Sequence, residues 1–213
     1  MFPILVDRLP IPSLVQDFWV LYIDRNDEQT IFKACADLDR AITKHLQQRA
    51  LVRTPRLFVS HRHKDESIAE ALVALLEAAF EVSSADIRCT SVWPYRLRPG
   101  DRTPDRLRDE IRHADVVMGL LAPDTRESSY VLFELGAAWS QGRLTCPLLV
   151  RGATGADIPD PIKDLHPLAL GDGRQCQELL DEIQRATALK RKEGVGGAVE
   201  DKVRKLVEAA KTS

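Results

Sequence analysis

Between residues 54 and 189, short uninterrupted apolar runs alternate with stretches of helical periodicity, and this constrains the fold more than any other feature. Residues 56–60 read as a strand, and 65–80 as the helix after it. A weaker strand covers 87–90. The loop that follows is punctuated by Pro94, Pro99 and Gly100. A short helix spans 105–113, with Pro104 suited to its first turn. The run 116–121 is a continuous apolar strand, 128–141 is helical, and 147–150 with its neighbours is a further strand. A short edge strand at 168–170 and a helix over 176–189 complete the series. Strands without polar interruption are buried on both faces, which implies a parallel sheet covered by helices on each side. The expected architecture is an α/β fold, a flavodoxin-like doubly wound parallel sheet of about five strands.

Both ends of the chain lie outside this pattern. In residues 1–53, Ser13 and Gln16 form a capping box for a helix carrying Leu14, Val15, Phe18, Trp19, Leu21 and Tyr22. A second helix, over 27–46, places Ile31, Ala34, Cys35, Leu38, Ile42 and Leu46 at three- and four-residue steps. Residues 190–213 begin with a glycine-rich hinge at 194–197 and end in a helix with Val199, Val203, Leu206, Val207 and Ala210 along one side. These helical extensions offer apolar surface to the central domain or to another chain. Such surface predicts self-association, at least as a dimer, with the terminal helices contributing.

Charge and cysteine content narrow the function classes. A formal net charge of -2 gives no electrostatic case for nucleic acid or an anionic membrane as partner. The cysteines stand far apart, at Cys35, Cys89, Cys146 and Cys176, which excludes a Cys-x-x-Cys motif and fits reduced thiols in a cytoplasmic protein. The apolar opening MFPILV is broken by Asp7 and Arg8, too soon for a signal-peptide core or a membrane span. His61-x-His63, with His113 elsewhere, lacks further ligands at metal-binding spacing, so no metal is expected. Neither Gly-x-Gly-x-x-Gly nor Gly-x-x-x-x-Gly-Lys occurs, which leaves the chain without a dinucleotide-cofactor turn or a P-loop.

In open parallel sheets, ligands bind outside the carboxyl ends of the strands. Those ends carry Ser60 and His61, the loop from Trp93 through Tyr95 and Arg98 to Asp101, and the segment 122–129. The run SSYVLFELGAAW at 128–139 stands out. Ser128 or Ser129 can cap the helix, and from Tyr130 to Trp139 the one charged side chain is Glu134. Tyr130 and Glu134 share a helix face one turn apart. A carboxylate in so apolar a helix is costly to bury unless it is paired or useful. Exposure to solvent, or pairing with an arginine, is the plain structural alternative.

Three segments resemble the signatures of TIR domains. LFVSHRHKDESIAEAL at 57–72 resembles a first strand ending in serine followed by a charged helix start. YRLRPGD resembles the BB loop, whose arginine, proline and glycine match Arg98, Pro99 and Gly100. SSYVLFELG resembles the element in which an aromatic residue stands four positions before the catalytic glutamate of NAD-cleaving members. Tyr130 and Glu134 take those two places, with tyrosine where many members have tryptophan. The resemblance covers about 56–189 and implies a bacterial-type TIR domain that cleaves NAD+, taken as substrate without any cofactor.

On that resemblance Glu134 is the catalytic carboxylate, and Ser60, His61, Trp93, Tyr95, Arg98, Ser128 and Tyr130 line the substrate site. Arg98, Pro99, Gly100 and Asp101 form a loop for contact between domains. Trp93, Tyr95 and Tyr130 can stack on nicotinamide or adenine, with core packing as the alternative for each. The products would be nicotinamide with ADP-ribose or a cyclised form, and the role that of a bacterial immune effector. Two other readings stay open. One is a non-catalytic TIR adaptor that signals through TIR–TIR contacts. The other is a nucleoside deoxyribosyltransferase-like enzyme whose glutamate attacks the sugar.

Overall fold

The computed structural model describes residues 4–6, 21–23, 40, 55–96, 103–125, 129–160 and 162–212. The chain divides into two compact units, residues 1–53 and 54–213. In the first, β1 (Ile4–Val6) pairs in parallel with β2 (Leu21–Ile23), Ile4 facing Leu21 and Val6 facing Ile23. This corrects one expectation: Leu21 and Tyr22, read as the last turn of a helix, lie in a strand. A short apolar run satisfies the helical and the buried-strand patterns equally, and pairing with Leu5 and its neighbours selects the strand. The rest of the helices expected over 13–22 and 27–46 lies outside the described residues, apart from Arg40, which is helical.

The second unit is built on a five-stranded sheet: β3 (Leu57–Ser60), β4 (Ile87–Cys89), β5 (Val116–Leu121), β6 (Leu144–Leu149) and β7 (Leu168–Ala169). The strand order is β4-β3-β5-β6-β7 and every pairing is parallel. This is the flavodoxin-like winding, in which the chain reverses direction between its first and third strands. In such sheets ligands bind outside the carboxyl ends of the strands at the reversal, here β3 and β5.

Alternation along each strand sorts the core into two layers. Leu57, Val59, Met118, Leu120, Cys146 and Leu148 face α1 (Glu66–Ala79), α4 (Gly173–Ala186) and α5 (Gly196–Lys211). Phe58, Val117, Leu121 and Leu149 face α2 (Thr103–His113) and α3 (Ser129–Ser140). Both faces of β5 are buried, which is why its sequence carries no polar break.

The C-terminal helix departs from expectation. Leu206 and Ala210 are buried in the first layer, and Val199, Val203 and Val207 pack against it. The segment before the helix is anchored as well: the Lys192 N–H donates to the Ala79 carbonyl, and Arg191 pairs with Phe80. The apolar stripe offered for self-association is therefore covered within its own domain. Its partner is α1, whose second apolar face needed a cover.

Candidate functional site

Ser60 is the last residue of β3 and pairs across the ladder with Gly119 of β5, at the point where the winding reverses. Strand alternation turns it to the same side as Phe58, toward α3. There its hydroxyl donates to Glu134 Oε2 at 2.5 Å. Both side chains are enclosed, with Ser60 2% and Glu134 4% exposed. The second carboxylate oxygen, Oε1, is also buried and has no hydrogen-bond partner among the described residues.

Burial pushes the Glu134 carboxyl up to about 7, against the opposing pull of the Ser60 hydroxyl. The carboxylate is thus not on solvent, and among the described residues no arginine is matched to it. A buried acceptor left without a partner requires an explanation, and a ligand donor is one. One helical turn earlier, Tyr130 is 53% exposed, and burial together with the Glu134 charge raises its phenol pKa.

His61 follows Ser60 and turns to the opposite side of the sheet. Its Nε2 lies 2.6 Å from Ser91 Oγ and its Nδ1 3.8 Å from Cys89 Sγ. Burial lowers its pKa, which favours the neutral ring. His61 therefore supports the segment after β4 and does not share the Ser60–Glu134 contact. His63 is an exposed side chain beside Glu66. Among the described residues no cluster of three or more His, Cys, Asp and Glu could hold a metal ion.

The two aromatic residues of the loop after β4 separate cleanly. Trp93 is 75% exposed, free to meet a ligand. Tyr95 is 4% exposed and belongs to the core, its hydroxyl donating to Glu77 of α1. The expectation that Tyr95 stacks on substrate is corrected: its ring fills space under the loop. Arg88 explains why the loop turns inward there. It donates from Nη1 to the Tyr95 carbonyl at 2.7 Å and grips Glu110 of α2 with two further bonds of 2.6 Å. Arg98, Pro99, Gly100, Asp101 and Ser128 lie outside the described residues.

A charged network at the strand ends was not anticipated. Asp65, fully buried, accepts from Arg62 Nε at 2.6 Å, while Arg151 Nε lies 3.1 Å from its other oxygen. Arg62 also binds Asp124, as does Lys64. Those two cations, Lys64 foremost, hold the Asp124 carboxyl down at about 2. Arg151, whose φ of 55° is left-handed, binds the Lys64 carbonyl and donates its N–H to the Ala210 carbonyl. The network ties the segments after β3, β5 and β6 to one another and, through the Arg151 N–H, to α5. Its sequence signal was the charged run immediately after an apolar strand, although no spacing rule pairs residues this far apart.

The helix that carries Glu134 also exposes large apolar side chains. Phe133 is 71% and Trp139 45% exposed, in addition to Tyr130. No described helix is long and apolar enough to cross a membrane.

The chain is similar to known proteins over most of its second unit. A family model described as a TIR domain matches residues 57–185. An uncharacterised protein of Bacillus subtilis, YddK, is 29% identical over 134 residues, or 62% of this chain. The match spans only 46% of that relative, so the chain corresponds to less than half of its length. Among solved structures, the TIR domain of a Toll-related receptor from Hydra magnipapillata shares 17% identity, covering 62% of this chain and 99% of its own, with a TM-score of 0.49.

Proposed function

Because the chain belongs to the TIR domain family, we propose that its sheet crevice binds NAD+ and cleaves the nicotinamide–ribose bond, with Glu134 as the reacting carboxylate. One observation carries this reading. At the reversal point of the sheet, a buried glutamate is held by a serine on one oxygen and has no partner among the described residues on the other.

The chemistry requires little more from the protein. Loss of nicotinamide leaves an oxocarbenium-like ribose, as in glycoside hydrolysis. Nicotinamide departs as a neutral pyridine, so no general acid is needed. A carboxylate beside the ribose can accept a hydroxyl proton in a hydrogen bond and stabilise the positive charge as it develops. The cationic nicotinamide ring and the developing charge both favour the ionised form of Glu134, offsetting the burial that raises its pKa. Tyr130 and Trp93, both exposed, are the ring surfaces available for stacking. NAD+ is consumed as substrate: water captures the ribose carbon and loses a proton to give ADP-ribose, or a nucleophilic atom of the same molecule captures it to give a cyclic form, in the service of cellular defence.

The test is incubation of purified protein with NAD+, following nicotinamide release and separating linear from cyclic ADP-ribose. Release by the wild type and its absence in Glu134→Gln support the reading. Equal release by both proteins would overturn it.

A second reading, an adaptor that works through contacts between TIR domains, is favoured by the exposed Tyr130, Phe133 and Trp139 on α3. Self-association belongs to both readings. An adaptor would bind its partner domain equally well with Glu134→Gln and would leave NAD+ intact.

A further inference from the structure

We propose that Ser60 is a positioning residue, whose proton fixes Glu134 Oε2 and leaves Oε1 as the acceptor that meets a ligand hydroxyl. The inference rests on Glu134 being the reacting carboxylate.

The geometry distinguishes positioning from simple satisfaction of a buried group. A serine hydroxyl has one proton to donate, and here it goes to Oε2 at 2.5 Å. If the protein only needed to accommodate a buried carboxylate, both oxygens would be expected to find partners. Instead the contact is one-sided, with Oε1 enclosed and unpartnered among the described residues. The donor is also held firmly. Ser60 ends a strand in register with Gly119, so its Oγ is placed by the sheet ladder and not by a mobile loop. A glutamate side chain has several rotatable bonds, and one fixed hydrogen bond removes much of the freedom to turn Oε1 to another position.

The surroundings leave Ser60 the main lever on this carboxylate. Among the described residues, the influences acting on it are burial and the Ser60 hydroxyl. From its own helix the phenol of Tyr130 couples to it, and β5 presents Gly119, which carries no charge. Because the bond favours the ionised form, removing it must make Glu134 harder to ionise.

The experiment is carboxyl-carbon NMR titration of the full chain with labelled glutamate, on wild type, Ser60→Ala, Ser60→Thr and Ser60→Cys. The Glu134 resonance is assigned by its loss in Glu134→Gln. In Ser60→Ala its midpoint rises by about one unit, while Ser60→Thr, which keeps the hydroxyl, stays close to wild type. In NAD+ turnover, Ser60→Ala lowers kcat about tenfold with KM little changed. It also moves the acid limb of the pH profile upward, and Ser60→Thr restores both. If Ser60→Ala does not fold, Ser60→Cys, similar in size and a weaker donor, carries the same comparison.

An unmoved midpoint in the alanine or cysteine variant overturns the inference, as does a threonine variant that behaves like alanine. Normal turnover by Ser60→Ala, with Glu134→Gln inactive, overturns it too and leaves the NAD+ reading intact. A shifted midpoint in a protein that never cleaves NAD+ has the opposite meaning: the serine orients the carboxylate, and the substrate assignment is wrong.

Discussion

Gly119 of β5 lies directly against Leu135 of α3: a Cβ built on the glycine would come within 2.6 to 2.8 Å of the leucine Cδ1, Cδ2 and Cγ. No residue larger than glycine fits there unless the Leu135 side chain or its helix shifts. Leu135 is fully buried and adjoins Glu134 in sequence, while Gly119 is the ladder partner of Ser60. The close approach of helix and sheet and the contact between Ser60 and Glu134 therefore have one cause. The glycine works through closeness and not through backbone conformation.

Gly119→Ala is accordingly expected to destabilise the protein by about 1–3 kcal/mol, the usual cost of overpacking a filled core. It should also weaken the Ser60–Glu134 contact and with it any NAD+ cleavage. Adding Leu135→Ala relieves the overlap, so the double variant should be more stable than the sum of the two single losses predicts. Chemical denaturation of the four proteins measures this, and strict additivity would show that the two side chains do not compete for space.

Glu134 ties stability to pH with a definite sign. Its carboxyl ionises at about 7 in the folded chain against an ordinary 4.5. Between those values the folded state holds the proton and the unfolded state does not, so the contribution is fully present below about 4.5. It is lost as pH rises toward 7. The full effect is about 3 kcal/mol. Glu134→Gln carries no such ionisation, so its stability relative to wild type should improve by about that amount between pH 4.5 and pH 8. Urea denaturation of both proteins at the two pH values is the check, and parallel profiles would mean that Glu134 titrates as an ordinary surface acid.

The legible parts of the fold are those whose burial is written locally. Val116 to Leu121 reads as a strand because a strand covered on both faces has no solvent side to mark with polar residues. Glu134 was legible for the same reason, as the one carboxylate in an apolar helix. Its partner was not: Ser60 lies 74 residues away, and the bond exists because sheet order brings β3 beside β5. Leu21 and Tyr22 misled because a short apolar run suits helix and strand alike. Tyr95 misled because a tyrosine in a loop looks available until Glu77 and Arg88 are seen to hold it inward. The stripe on the last helix was visible, but not that α1 would cover it.

The two aromatic residues of the loop after β4 should part company on substitution. Trp93→Ala removes a side chain that is 75% exposed, so stability should change by no more than about 0.5 kcal/mol while KM for NAD+ rises. Tyr95→Ala empties a core position and should cost about 3–5 kcal/mol. Tyr95→Phe, which loses only the bond to Glu77, should cost about 1 kcal/mol and leave KM unchanged. Melting curves with steady-state kinetics separate these outcomes. A raised KM in Tyr95→Phe at wild-type stability would place that ring at the substrate after all.

Arg88 and Glu110 provide the most stringent test of how the loop is held. The ion pair joins β4 to α2 through two bonds of 2.6 Å, and Arg106 adds a third contact to Glu110 at 3.1 Å. Glu110 is 3% and Arg88 8% exposed, so each charge depends on the other for solvation. Removing Glu110 strands the buried Arg88 charge, at a cost of about 3–5 kcal/mol, whereas removing Arg88 leaves Glu110 its contact with Arg106 and should cost less. Arg88→Met also leaves the Tyr95 carbonyl with only the longer bond from the Cys89 N–H and so loosens the loop, whereas Glu110→Gln retains a polar partner and should be milder. Replacing both, as Arg88→Met with Glu110→Leu, removes the stranded charge and should recover much of the stability lost by either single change. The loop should remain mobile in that double variant, because the bond to the Tyr95 carbonyl is still missing. Denaturation reports the first effect, and amide exchange at residues 90–96 the second. A double variant whose loop exchanges as slowly as wild type would show that packing of the Tyr95 ring, and not the arginine, holds the loop in place.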